Sequence, residues 1–274
     1  MSYANFKPVV WSKHIQHELE KITVFKEDCD YQFQGEVGHG KRVKILGVGR
    51  PTIGDYIGEK IGAPETVADT SVYLDIDQAK FFNFGVDDVD KAQAQEGLMA
   101  ALMDESARAL AEDTDTWLAK NIAMGAGKKS AVLTVSTPAE AKAAVDGAFT
   151  YLWGNGVKFT DKVTMYLPPW FYLLFQQYMI ENKTDNDTLL AKGIVGSYNS
   201  AKVKLTNNLY ADSNGCDHII VKTSKGFAFA DGINNTEAYR PDELFKDAVK
   251  GLHTYGGKAV RPKEIYVIKA KAAE

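Results

Sequence analysis

Five histidines, two cysteines and no long apolar run deprive this 274-residue chain of the raw material of several function classes. His14, His17, His39, His218 and His253 include no pair at zinc-binding spacing with a carboxylate. Cys29 and Cys216 match neither a metal motif nor a disulfide framework, so two free thiols in a reducing compartment are expected. No apolar stretch approaches the ~20 residues that a membrane span needs. The start lacks the basic-then-apolar pattern of an export signal, so a soluble protein made in the cytosol is expected. A net charge of −4 gives no footprint for nucleic acid as the main partner.

Catalytic signatures are missing too. There is no G-x-S-x-G elbow and no metalloprotease helix. In GVGRPTIG the glycines are not followed by the helix that a dinucleotide loop requires. GAGKKS departs from a phosphate loop twice: Ile122 stands at the first glycine position, and Lys129 follows Lys128. Asp87, Asp88 and Asp90 need no cation, because capping a helix accounts for them. Asp212, Asn214 and Asp217 around Gly215 read as turn chemistry. Trp170, Phe171, Tyr172, Phe175 and Tyr178 lack interleaved arginine, which favours core or interface over a base-stacking platform. The expected catalytic, cofactor and metal residues are therefore none.

What the chain does have is a stretch from Ser71 to Met124 that changes character halfway. SVYLDIDQAKFFNF alternates as a strand, with Val72, Leu74 and Ile76 on one parity, then Phe82 and Phe84. After GVDDVD the spacing predicts one helix over Val89–Met124, roughly 54 Å long. Leu98, Met99, Leu102, Met103, Leu110, Trp117 and Met124 form its expected core face. Asp90, Asp104, Glu105, Arg108, Glu112 and Asp115 lie opposite, and Gly125 and Gly127 stop it. A helix of that length spans a thin, wide molecule.

The flanking parts cannot build cores alone. Residues 1–30 give an extended FKPVVW and a short amphipathic helix over Ser12–Lys21 that must dock elsewhere. Residues 31–70 predict a long hairpin, YQFQGEV and RVKILGV around GHGK, marginal by itself. Charge is uneven as well: Glu65–Asp115 holds thirteen acids against Lys80, Lys91 and Arg108, whereas 31–60 is basic. Two such surfaces can meet between subunits. Thr137, Pro138 and Glu140 open a helix to Trp153. KVTMYLP is a strand, and a helix starts at Pro168-Pro169. DNDTLLAKGIVGSYNSAKVKLTNNLY gives loop, short helix and strand, and DHIIVKTSKGFAFADG a hairpin. Strand patterning returns at Phe245–Tyr255 and Ile265–Ile268. The fold class is α+β.

This order of parts, with VVWS, TVF, LDIDQAKFFNFGVDDVDKAQ and FKDAVKGLHTYGGKAVRP, resembles tailed-bacteriophage major capsid (coat) proteins of the Hong Kong 97-type fold. The likeness covers nearly the whole chain, and LDIDQAKFFNF…DDVDKAQ is its most specific block. It implies an N-terminal arm at 1–30, an E-loop at 31–70 and a P domain with spine helix at 71–130. An A domain at 131–233 and a return to the A/P domain at 234–274 follow. The implied role is a structural, non-enzymatic shell protein, self-assembling into hexamers and pentamers and enclosing double-stranded phage DNA without sequence specificity. A virion location is implied, with assembly in host cytoplasm. A scaffolding protein, a portal and a decoration protein are implied partners, and no cofactor is. An acidic wall would repel DNA weakly and let it pack. An encapsulin-type protein nanocompartment is the alternative. Inter-subunit contact candidates are Trp11, Ile15, Leu19, Lys41, Arg42, Lys44 and Arg50. Relatives that crosslink join an E-loop lysine to a P-domain asparagine. No asparagine occurs from Arg240 to Glu274, so a shell without covalent crosslinks is expected.

Overall fold

The computed structural model describes residues 24–34, 42–46, 52–53, 71–87, 98–181, 196–241 and 246–273. In chain order the elements are β1 (Arg42–Ile45), β2 (Val72–Asp75), β3 (Gln78–Asp87), α1 (Leu98–Met124), β4 (Lys128–Val135), α2 (Pro138–Gly154), β5 (Val163–Leu167), α3 (Pro169–Glu181), β6 (Ser197–Tyr198), β7 (Ala201–Leu205), β8 (Asp217–Thr223), β9 (Phe227–Tyr239), β10 (Lys246–Ala259) and β11 (Ile265–Ala272). They form a six-stranded sheet in the order β4-β11-β8-β5-β7-β6, a three-stranded sheet β3-β10-β9 and the pair β1-β2. In the larger sheet β4 runs parallel to β11 and β5 parallel to β7, and the other neighbours are antiparallel.

One face of the six-stranded sheet is closed by α2 and α3. α2 starts where its residues say it should: the Thr137 hydroxyl accepts the Glu140 N–H while the Glu140 carboxylate accepts the Thr137 N–H, a complete capping box ahead of Pro138. Its apolar side, Ala141, Val145, Ala148, Phe149 and Leu152, packs with Phe171 and Phe175 of α3 onto Met165, Ile219, Val221 and Ile268. Every residue of β5 is buried, the signature of a strand covered on both faces.

α1 covers part of the opposite face and extends beyond it. Leu118, Ala119, Ile122 and Ala123 pack against Tyr166, Ile220, Ile265 and Val267 of the large sheet. Met103, Ala107, Leu110 and Ala111 pack against Val249, Phe82 and Phe84 of the three-stranded sheet. One helix, about 40 Å over its 27 described residues, therefore joins two sheets. The expected residues 89–97 lie outside those described.

The helix is turned relative to the face that its large residues suggest. Leu102 and Trp117 are only half-buried and Met124 is exposed, whereas Ala107, Ala111, Ala119 and Ala123 are fully buried. Alanine lets a helix backbone approach a sheet closely, so the contact face follows small residues that a wheel of large side chains overlooks. Gly125 and Gly127 do not take the left-handed conformation of a helix cap. They permit close approach instead: a Cβ at Gly127 would stand 2.5 Å from the Pro262 carbonyl oxygen.

Other expectations change with the topology. The stretch 71–84 is two strands, not one: β2 pairs with β1, β3 pairs with β10, and Ile76-Asp77 separates them. RVKI pairs with VYLD, Arg42 opposite Asp75, and residues 32–34 of the expected first hairpin strand form a turn. β8 and β9 are not a hairpin, since they belong to different sheets. The expected break between 233 and 234 falls inside β9, and β4 begins at Lys128, before 131.

Candidate functional site: an anchored segment and open faces

Residues 24–31 bind the two sheets and the helix together. The 3-10 turn Lys26–Asp28 seats Phe25, which is fully buried, with its ring 4.2 Å from that of Tyr166. Asp30 continues as a bridge to β9: its N–H donates to the Phe227 carbonyl at 2.9 Å and its carbonyl accepts the Phe229 N–H at 3.0 Å.

Two aspartates make this seat specific. Asp115, on the α1 side expected to face solvent, is 1% exposed. Its Oδ1 accepts the N–H groups of Val24 and Phe25, each at 3.1 Å, and its Oδ2 accepts the Asn208 amide at 3.2 Å. Burial lifts its carboxyl above 3.8 despite those three donors. Asp28 receives the Tyr166 hydroxyl at 2.8 Å and the Lys204 ammonium at 2.7 Å, while Lys204 also reaches Glu27 at 2.9 Å and the Val24 carbonyl at 3.1 Å. Burial works to raise the Asp28 carboxyl, but the Lys204 and Tyr166 hydrogen bonds outweigh it and hold it below 3.8. Lys222, wholly buried, donates to the Asp28 carbonyl, and its burial lowers its pKa. Deleting either carboxylate would leave buried donors unpaired. The run VFKEDCD carries no motif that points to this network. Its partners lie 90 or more residues away in sequence, and only the fold assembles them.

Of the contact candidates, Trp11, Ile15, Leu19, Lys41 and Arg50 lie outside the described residues. Arg42 and Lys44 share the exposed face of β1, while Val43 and Ile45 point inward. Arg42 pairs with Asp75 of its own chain and lies 5.2 Å from the Tyr73 ring centroid, so the subunit itself already uses that guanidinium.

The three-stranded sheet has one face against α1 and one face open. On the open face Phe81 of β3 stands directly across from Leu252 of β10, 77% and 38% exposed. Beside them Lys250 pairs with Glu237 at 2.9 Å, and the Tyr239 hydroxyl donates to Asn83 at 3.1 Å. Asn234 and Asn235, expected in a turn, lie in β9, and the Asn235 amide donates to Glu237 at 3.3 Å. Further apolar groups reach solvent at the end of α2 and along α3: Trp153 with Phe159, and Leu173 with Ile180.

Among the described residues no cluster of metal-ligating side chains forms, and no helix is long and apolar enough to cross a membrane. The Asp212 Oδ1 accepts the N–H groups of Asn214 and Cys216 at 2.9 and 3.1 Å, the turn chemistry read from the sequence. Cys29 and Cys216 are buried and free.

No family model matches the chain, and no curated protein does. Solved structures do. One from Mycobacterium phage Che8 superposes with a TM-score of 0.77 at 27% identity, covering 90% of each chain. The capsid of cyanophage P-SCSP1u gives 0.75 at 15% identity, over 92% of this chain and 89% of that one. The fold of this chain is therefore that of phage capsid structures. The chain also resembles a virus-like particle from Pyrococcus furiosus, with a TM-score of 0.61 at 12% identity, over 94% of this chain and 97% of that one. The phage structures that it matches are capsid proteins, which are structural and not enzymes.

Proposed function

We propose that this capsid protein assembles into hexamers and pentamers that close an icosahedral shell around double-stranded phage DNA. In this reading residues 1–30 are the arm, 31–70 the E-loop, and α1 the spine. The sheet β3-β10-β9 belongs to the P domain and the six-stranded sheet to the A domain. The carrying observation is the likeness to the Mycobacterium phage Che8 structure along 90% of both chains. The open apolar faces supply what such an assembly needs, since large obligate interfaces resemble a core cut in half. Contacts between unlike patches of identical subunits close into rings. Scaffold, portal and decoration proteins complete the particle, and the basic residues of 31–60 engage acidic surface on a neighbouring subunit.

Electron microscopy of the expressed protein, alone and with its phage's scaffold, tests the reading: closed shells or capsomers are expected. A compact monomer at micromolar concentration in sedimentation overturns it. The likeness to the Pyrococcus furiosus particle supports a second reading, a nanocompartment shell around a protein cargo. Nuclease-treated particles that hold duplex DNA favour the phage shell, and particles that hold one copurifying protein favour the compartment. Boiled particles should run as a single monomer band. A reductant-resistant ladder removed by Asn235→Ala would instead make that exposed amide the acceptor of a lysine amine, with ammonia leaving.

A further inference from the structure

Two basic stretches lie far apart in sequence and together in the fold. Residues 116–135 contain Lys120, Lys128 and Lys129 and no acid. Residues 257–273 contain Lys258, Arg261, Lys263, Lys269 and Lys271 against Glu264 alone. Eight cations thus stand against one acid in a chain whose net charge is −4. β4 and β11 pair in parallel, Lys129 opposite Val267 and Val132 opposite Lys269. The Gly127 N–H donates to the Pro262 carbonyl at 2.8 Å, which draws the 261–264 turn against the end of α1. Only glycine permits that approach.

Most of this charge is open and unneutralised. Lys120, Lys128, Lys258, Arg261, Lys263 and Lys271 are exposed, and Lys129 and Lys269 are half-buried. Arg261 pairs with Glu264 at 3.0 Å. Among the described residues no carboxylate forms an ion pair with any of the seven lysines. Lys128 lies over the Tyr151 ring at 5.4 Å, and Lys129 and Lys269 both act on buried His218. Cations at a helix C-terminus are favourable, which accounts for Lys120 and Lys128 but not for those on β10 and β11.

We propose that this lysine edge, from the C-terminal end of α1 along β4 and β11, binds the phosphate backbone of double-stranded DNA without sequence preference. That the duplex is packaged genome rests on the shell reading above. Lysine suits such a contact, because a compact charge on a long stem holds phosphates without reading bases. A second copy of the chain is the competing occupant, and the exposed acids of its α1, Asp104, Glu105 and Glu112 offset by Arg108, would not alone neutralise eight cations. Duplex DNA carries a charge about every 1.7 Å of axis, so roughly 14 Å of it holds as many charges as the edge has cations. The acidic wall expected from net charge is thus interrupted by a basic contact zone.

The test titrates unassembled subunits with a fluorescent mixed-sequence duplex of about 30 base pairs, following anisotropy between 50 and 200 mM salt. Duplex affinity that falls steeply with salt is expected. Replacing Lys129, Lys269 and Lys271 together by Gln should flatten the log–log salt slope by about 2.7, at roughly 0.9 per phosphate contact. The control triple Lys44→Gln, Lys202→Gln and Lys250→Gln, exposed on β1, β7 and the open face of β10, should leave the slope unchanged. Circular dichroism checks that both variants fold. An unchanged slope in the first variant, or no duplex binding by the unaltered subunit at 50 mM salt, overturns the proposal. So does loss of shell formation with duplex affinity intact, because the edge would then be a contact between copies. Shells are scored separately by microscopy, so failure of the shell reading leaves the titration interpretable.

Discussion

The six-stranded sheet and the three-stranded sheet use the same residue types to different ends. The first is packed by α2 and α3 on one face, with a continuous core from Val135 to Ala270, and by α1 and residues 24–31 on part of the other. The second has one thin layer, Met103, Ala107, Leu110, Ala111 and Val249, and leaves Phe81 and Leu252 in solvent. One region completes its core within the subunit. The other leaves apolar side chains uncovered in the subunit, so the two should respond differently to substitution.

The largest expected effect on the subunit is in the closed layer. Phe171→Ala empties a fully buried ring site and should cost about 3–5 kcal/mol in thermal or urea unfolding. A cost under about 1 kcal/mol would mean that this layer is not the main core.

Next comes the thin layer. Ala111→Leu forces a larger side chain between α1 and the sheet and should cost about 1–3 kcal/mol. Met124→Ala, on the face that large residues alone suggest, should stay within about 0.5 kcal/mol. Reversed magnitudes would restore the original face.

The pH response comes third. His218 is buried against Tyr210, with Asp212 at 3.7 Å and Lys269 and Lys129 near, and burial and the lysines hold its pKa below 6.5. The unfolded chain therefore takes up the proton first. Stability from this group is full above pH 6.5 and is lost as pH falls toward the folded value. His218→Asn should flatten the unfolding midpoint between pH 7 and 5.5, and an equal slope in both proteins would remove His218 as the cause.

The smallest expected effect on subunit stability is at the open face. Phe81→Asp should move the unfolding free energy by no more than about 0.5 kcal/mol while abolishing shell formation. Normal shells from that variant would show that the face remains open in the particle.

Residues alone determined the parts whose physics is local. The capping box at Thr137 and Glu140, the helix start at Pro169, the buried run VTMYL of β5 and the Asp212 turn depend on neighbours a few positions away. The order of parts likewise carried the capsid reading. What sequence did not carry is distant pairing. Whether β8 joins β9 or β11 depends on which sheet each strand completes. The rotation of α1 depends on alanines whose value lies in how near a sheet can come. The seat of residues 24–31 through Asp28 and Asp115, and the lysine edge, join residues separated by 90 to 194 positions in the first case and by more than 130 in the second. A buried charge gains its meaning from partners, and only tertiary structure supplies them.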